Sequence, residues 1–243
     1  MKIVIIHGQA HEGTTCLTAR KLAEKTLAKV GAATNDSDHI REFFLPRDFN
    51  EPCRGCMTCF NKDLSSCPHY EKLQPIADAM LAADLIILAS PVYVYHATGQ
   101  MMSLLDHFAT WWMVHRPRKE MADKQAVVIS TAAGGGMKNT CRDMADSLEM
   151  WGVRKVYRLG LGVQTADPKA IPVRIKAGIE KKTERLAAKL AAGHGARRKM
   201  NGRAKKWFYI VRLLHKMGPS DTPDYTYWEE KGWHGKGRPW HQK

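Results

Sequence analysis

Four cysteines crowd into one short stretch of this chain: Cys53, Cys56, Cys59 and Cys67, with Pro68 directly after the last. Two-residue gaps let the thiolates of 53, 56 and 59 turn toward one centre, and a fourth, more distant thiolate completes a four-sulfur site. A chain of this size has no need of disulfides, so the group reads as metal-binding, redox-active or simply reduced thiols. Zinc held by all four is the least favoured form, because the bites between 53, 56 and 59 are too tight for a relaxed tetrahedron. The other two thiols, Cys16 and Cys141, stand alone and read as small buried hydrophobes.

A second set of residues suits the binding of a phosphorylated, flat ligand. Residues 8–15 read Gly-Gln-Ala-His-Glu-Gly-Thr-Thr and join an apolar run to a helical pattern. Gly13, Thr14 and Thr15, with Gln9 upstream, can form a phosphate cradle from backbone N–H groups, hydroxyls and the helix dipole. The loop matches neither Gly-x-Gly-x-x-Gly nor Gly-x-x-x-x-Gly-Lys-Ser/Thr, which disfavours a Rossmann dinucleotide site and a P-loop. A plain N-cap by Thr14 or Thr15 explains the same residues equally well. Two further loops follow apolar runs: Ser90-Pro91-Val92-Tyr93-Val94-Tyr95, and Thr131-Ala132-Ala133-Gly134-Gly135-Gly136. Three successive glycines are entropically costly and are kept where backbone must approach a flat ligand closely. The plainer alternatives are a hairpin-like turn with two surface tyrosines and a flexible surface loop.

The elements that must position these loops are legible in the hydrophobic pattern. Residues 2–7, 40–45, 85–89, 126–131 and 156–163 read as strands, the first and third as continuous apolar runs buried on both faces. Helical spacing covers 16–30, 72–83, 98–113, 138–151 and 169–192. Strict alternation predicts an α/β fold, a doubly wound five-stranded parallel sheet in the flavodoxin order 2-1-3-4-5. Ligands of such sheets sit outside the carboxyl ends of the strands, where all three loops fall.

Charge divides the chain. Residues 1–150 carry 16 Lys+Arg against 17 Asp+Glu, and residues 151–243 carry 22 against 7. A chain-wide polyanion-binding field is thereby excluded, and the basicity belongs to the C-terminal part. The predicted organisation is a binding domain at 1–192 and a basic, aromatic-rich extension at 193–243. Residues 193–203 read as a linker, and 204–217 as an amphipathic helix with Trp207, Ile210, Val211, Leu214 and Met217 on one face. The tail at 225–233 is too aromatic for a disordered arm, so docking on the core or on a second subunit is expected. Nucleic acid or a membrane surface is the less favoured partner. No apolar run approaches the roughly 20 residues of a membrane-spanning helix, and the run at 3–6 is too short for a signal-peptide core. A cytoplasmic location is expected.

Ala83-Asp84, the apolar strand, Ser90-Pro91-Val92-Tyr93, Thr98-Gly99-Gln100-Met101 and Leu104-Leu105-Asp106 follow one another in order. From residue 1 to about 162 this succession resembles the NADPH-dependent FMN reductases and iron–sulfur flavoproteins. The resemblance implies FMN as cofactor, with Pro91, Val92 and Tyr93 along the flavin ring. The loop of Thr131, Ala132, Gly134 and Gly135 would lie against the isoalloxazine. It implies NAD(P)H as donor and a quinone, flavin or similar small molecule as acceptor, in a homo-oligomer. In iron–sulfur flavoproteins a compact cysteine motif at this place holds a [4Fe-4S] cluster that exchanges single electrons with FMN. Many flavin reductases carry a similar Cys-x-Gly-Cys-x-x-Cys loop without any implied cluster, so both readings of Cys53, Cys56, Cys59 and Cys67 stay open. The alternative function is an electron carrier between protein partners. A third is a flavin-sensing binder that uses its basic tail on nucleic acid or membrane. The chemistry would belong to the flavin, and no catalytic acid, base or nucleophile is expected among the side chains.

Overall fold

The computed structural model describes residues 1–32, 39–196 and 200–241. In chain order its elements are β1 (Ile3–His7), α1 (Thr14–Lys29), β2 (Ile40–Phe44), α2 (Thr58–Asn61), α3 (Tyr70–Ala82), β3 (Leu85–Ala89) and α4 (Gly99–His107). They continue as β4 (Gln125–Ala132), α5 (Met137–Met150), β5 (Lys155–Gly162), α6 (Val173–Ala192), α7 (Gly202–His215) and α8 (Pro223–Glu230). The five strands form one parallel sheet in the order β2-β1-β3-β4-β5, as the alternation predicts.

Every residue of β1 and β3 is buried, because helices cover both faces of the sheet. The two-residue period sorts the side chains. Val4, Ile6, Ile86, Leu88 and Val128 pack with Leu73, Met80, Leu104 and Leu148 of α3, α4 and α5. Ile3, Ile5, Leu85, Ile87 and Val127 face the other way, onto Leu22 and Leu27 of α1 and Leu190 of α6. At the β2 edge, Glu42 takes a bidentate grip from Arg20, with contacts of 2.8 and 2.9 Å, and lies 3.3 Å from His7. Burial alone would raise the Glu42 carboxyl, but His7 and Arg20 together hold it down at about 2.

Several elements depart from the sequence reading, among them α2 and α8, which it did not foresee. The helix expected over 98–113 stops at His107, where the chain tightens into a short 3-10 turn and the Met113 N–H leaves to bond the Met150 carbonyl at 2.7 Å. The helix expected from 169 begins at Val173, with Pro172 in extended backbone at its N-cap. The C-terminal helix turns inward a face that shares only Val211 with its expected apolar stripe. Ala204, Phe208 and Val211 are buried with Trp228 and Trp233, while Trp207, Leu214 and Met217 remain exposed. The tail makes that choice: the Trp228 ring stacks on Phe208 at 4.7 Å, which brings the 208 side of α7 inward. The expected linker at 193–203 includes residues 197–199, which lie outside the described residues. Among the described residues no helix is long and apolar enough to cross a membrane.

Candidate functional site

The three strand-end loops meet through a short set of bonds. The Gly8 N–H bonds the Ala89 carbonyl at 2.8 Å, Ser90 N–H bonds Ile129 at 3.0 Å, and Val92 N–H bonds Thr131 at 3.1 Å. Between the first and third loops the hydroxyls of Thr15 and Thr131 are 2.7 Å apart. Thr98 ties the first loop to the second: its hydroxyl donates to the Gly8 carbonyl at 2.7 Å, and its N–H donates to Ser90 Oγ at 3.0 Å. Gly8 is required here by space alone, since a Cβ would stand 2.7 Å from Thr98 Oγ1. The sequence reading gave Thr98 no role of its own, although Thr before Gly at a helix start is an N-cap signal, and Thr98 does accept from the Met101 N–H.

At the start of α1, Gly13 occupies the N-cap position, and neither Thr14 nor Thr15 caps the helix as the plainer reading would have it. The first amide groups of the helix are therefore left without side-chain partners. Thr14 Oγ1 is buried and has no bonding partner among the described residues. An uncapped N-terminus beside an idle buried hydroxyl is a place where an anion recovers what the protein does not supply. Gln9 is buried and turns its amide to the His11 carbonyl at 3.3 Å.

The second loop is a hairpin turn. Tyr93 and His96 exchange both backbone bonds at 2.9 Å, and Val94 and Tyr95 take positive φ of 49° and 66°. A β-branched residue in that region is strained, and such strain persists only where surroundings enforce it. Here the third loop abuts it. Gly136, at φ 96°, has space for no Cβ, which would lie 2.6 Å from Val92 Cγ1 and 3.2 Å from Tyr95 Cα. Gly134 has nothing within 4 Å of its missing Cβ, and Gly135 only the Tyr95 ring at 3.7 Å. Of the three glycines the protein's own packing demands Gly136, while Gly134 and Gly135 present bare backbone, open to a flat ligand. Pro91, Val92 and Ala132 are half-buried beside them, and Tyr93 is exposed.

The cysteine loop occupies the chain between β2 and α3. Gly55 and Met57, both at positive φ, curl it. Cys53, Cys56, Cys59 and Cys67 are all free thiols and line one pocket with Phe60, Pro68, His69 and His107. Burial pushes the Cys59 thiol up, and the neighbouring Cys67, Cys53 and Cys56 push it further. Thr58 donates to Cys56 Sγ at 3.3 Å and lowers that thiol. A single tetrahedral zinc with sulfurs about 2.3 Å away would draw four thiolates to within about 4 Å of one another. Among the described residues no three of these thiols come within 4.8 Å of each other. Four thiols lining one pocket are a donor set of the kind an iron–sulfur cluster takes.

Two histidines that the sequence did not flag flank this pocket. Cys67, His69 and His107 bring their ligating atoms within 4.8 Å. Burial pushes the His107 imidazole down; its Nδ1–H donates to the Ser103 carbonyl at 2.8 Å, and its Nε2 lies 3.1 Å from His69 Nδ1. On the far side Arg116, itself buried, donates to the carbonyls of Cys59 at 2.7 Å, Phe60 at 3.2 Å and Lys62. Cys16 and Cys141 are buried far from this centre in sequence, and burial raises both thiols to about 11.

Comparison with known proteins bears on the family and the fold. An iron–sulfur flavoprotein of Archaeoglobus fulgidus is 27% identical over 184 residues, 74% of this chain and 78% of its own. Another from Methanocaldococcus jannaschii is 30% identical over 146 residues, covering 59% and 69%. Among solved structures, an FMN-dependent NADH-azoreductase from Bacillus anthracis in complex with FMN superposes with a TM-score of 0.55 at 12% identity, over 79% of this chain and all of that one. An NAD(P)H:quinone oxidoreductase from Methanothermobacter marburgensis gives 0.55 at 14%, covering 78% and 96%. These two likenesses establish the flavodoxin-like fold. Residues 1–164, which carry all three loops and the four clustered cysteines, match the NADPH-dependent FMN reductase family, and the chain belongs to that family of flavin-dependent oxidoreductases.

Proposed function

We propose that the chain binds FMN and passes electrons from NAD(P)H to a quinone, flavin or similar small acceptor. The FMN phosphate would rest on Gly13, Thr14 and Thr15 with Gln9 beside it. The ring would lie between Pro91, Val92, Tyr93 and the backbone of Thr131, Ala132, Gly134 and Gly135. The observation that carries this reading is the pairing of an uncapped α1 with the partnerless Thr14 hydroxyl, next to two glycines whose Cβ positions are open. Bound FMN supplies the hydride and single-electron chemistry. The chain's part is to hold it: the hydroxyls and amides bind the phosphate, and the abutting hairpin and glycine loop orient the ring and exclude water. Residues 1–192 form the FMN-binding domain in this reading, and 193–243 its extension. A homo-oligomer belongs to it as well, because Tyr93, Val94 and Tyr95 expose apolar surface of the kind a second copy covers. The test is FMN titration of the Thr14→Ala, Thr15→Ala double variant. Each lost phosphate bond should cost about 1.5–3 kcal/mol of binding, and an unchanged affinity would remove the phosphate assignment.

The four convergent thiols favour a second reading, an iron–sulfur flavoprotein that carries electrons between protein partners. Cys53, Cys56, Cys59 and Cys67 would hold the cluster, and the relatives named iron–sulfur flavoprotein support it. Protein purified without oxygen should then contain about four irons per chain. Cys56→Ser should remove the iron and leave flavin bound. Iron-free protein after cluster reconstitution would leave the simple flavin reductase standing.

A further inference from the structure

The C-terminal extension lies beyond residues 1–164, where the family match ends, yet it reaches the cysteine loop through two residues. The loop needs outside support. α2, which carries Cys59, has four residues, none of them buried, and a helix of one turn has no stability of its own. Its terminal carbonyls are met by the Arg116 guanidinium, which spans those of Cys59, Phe60 and Lys62. A cation at the carbonyl end of a helix satisfies orphan acceptors and opposes the dipole. The Phe60 ring also meets His115 edge-on at 4.8 Å.

Arg116 is in turn held by α8. Asp224 Oδ1 stands 2.8 Å from Arg116 Nε, an ion pair lying off the N–H direction, and Asp224 Oδ2 is 2.7 Å from His115 Nδ1. One helical turn further on, the Tyr227 hydroxyl donates to the Pro117 carbonyl at 2.9 Å and the Trp228 indole N–H donates to the His115 carbonyl at 2.5 Å. Positions 224, 227 and 228 lie on one face of a helix, so α8 grips residues 115–117 as a unit. Thr222 caps that helix by accepting from the Tyr225 N–H at 3.2 Å, and the fully buried Trp228 anchors it.

We propose that the extension is a working part of the cysteine centre: Asp224 fixes Arg116, and Arg116 sets the position of the turn that bears Cys59. Arg116 and Asp224 are positioning residues: Arg116 meets backbone carbonyls of the turn, and Asp224 meets Arg116 and His115. The proposal rests on the four thiols forming one centre and is independent of what they hold. Its geometry explains why the tail is aromatic. The rings secure α8, and the carboxylate they deliver is matched to a buried guanidinium. An arginine is needed at 116 because a lysine, a single point charge, cannot span three carbonyls.

The test uses the full chain with Asp224→Asn, Asp224→Glu and Arg116→Lys. In metal-free protein, site-resolved alkylation with iodoacetamide, read by peptide mass spectrometry, should show Cys59 reacting at least about tenfold faster in Asp224→Asn and Arg116→Lys than in the wild-type chain, as expected for loss of a charge-assisted contact. Asp224→Glu, which keeps the charge, should restore most of the slow rate. Cys16 and Cys141 should be unaffected, and so should the flavin content. Equal Cys59 rates in all four proteins would overturn the proposal. So would a parallel rise at Cys16 and Cys141, which would mean general loosening of the fold. A second arm loads iron and sulfide, reduces the protein with dithionite and follows the low-temperature EPR line shape, which should change in Asp224→Asn. If the wild-type chain takes up no iron, the cluster reading fails by itself, and the alkylation arm still decides the role of Asp224.

Discussion

The strand-end loops and the cysteine loop both leave carboxyl ends of the same sheet, but they are held by different means. The first three are tied by backbone bonds that continue the strand ladder, such as Gly8 to Ala89 and Val92 to Thr131. Their shape follows once the sheet is formed. The cysteine loop has no ladder to continue. It depends on side chains from distant segments: Arg116, His107, and Lys72, which pairs with Glu51 at 2.6 Å. The contrast teaches that one site is as stable as the core, while the other is as stable as the docking of a C-terminal tail. Local stability of that kind differs within one fold whenever supports differ.

The largest expected effect sharpens this division. Trp228→Ala removes a fully buried indole stacked on Phe208 and should cost about 3–5 kcal/mol. The loss should appear in hydrogen exchange as weakened protection of α7 and α8, with the amides of β1 and β3 unchanged and FMN retained. Equal loss of protection across the sheet would break the comparison. On the other side of it, Gly136→Ala should cost about 2–4 kcal/mol, from a left-handed φ and a Cβ thrust at Val92. Urea midpoints would measure that cost, and FMN affinity should fall with it while Cys59 alkylation stays slow.

Glu42 joins the two regions, because β2 is both the sheet edge and the strand that launches the cysteine loop. Its carboxyl is held near 2 in the folded chain against an ordinary 4.5. A depressed carboxyl contributes stability above its unfolded value and loses it as pH falls toward the folded one. Glu42→Gln should therefore lower stability at pH 7 by about 3 kcal/mol at most. Denaturation midpoints of the two proteins should converge as pH falls from 4.5 to 2. The smallest effect concerns the outward face of α7. Leu214→Gln alters an exposed side chain and should change stability by no more than about 0.5 kcal/mol. A larger loss, measured at low protein concentration, would show that this face packs inward after all.

Much of the sheet was legible because its information is local. Continuous apolar runs at 3–6 and 85–89 admit only a strand covered on both faces, and the alternation with helical spacing admits few topologies. The loops were legible for a related reason: Pro91, Gly13 and the run Gly134 to Gly136 are residue types with narrow backbone uses. The four cysteines were legible by spacing alone. What the sequence could not determine are choices between local equals. α7 has two apolar stripes of similar quality, and the Trp228 ring, reached through an intervening turn, selected the one containing Phe208. Three adjacent glycines look alike, yet only the approach of Val92 and Tyr95 makes Gly136 the obligatory one. Arg116 and Asp224 are ordinary charged residues until packing brings them within 2.8 Å, across more than a hundred residues of chain, beside the carbonyl of Cys59. Periodicity and residue type act over a turn or a strand. Which distant side chains become partners is decided only when the core closes and removes water from between them.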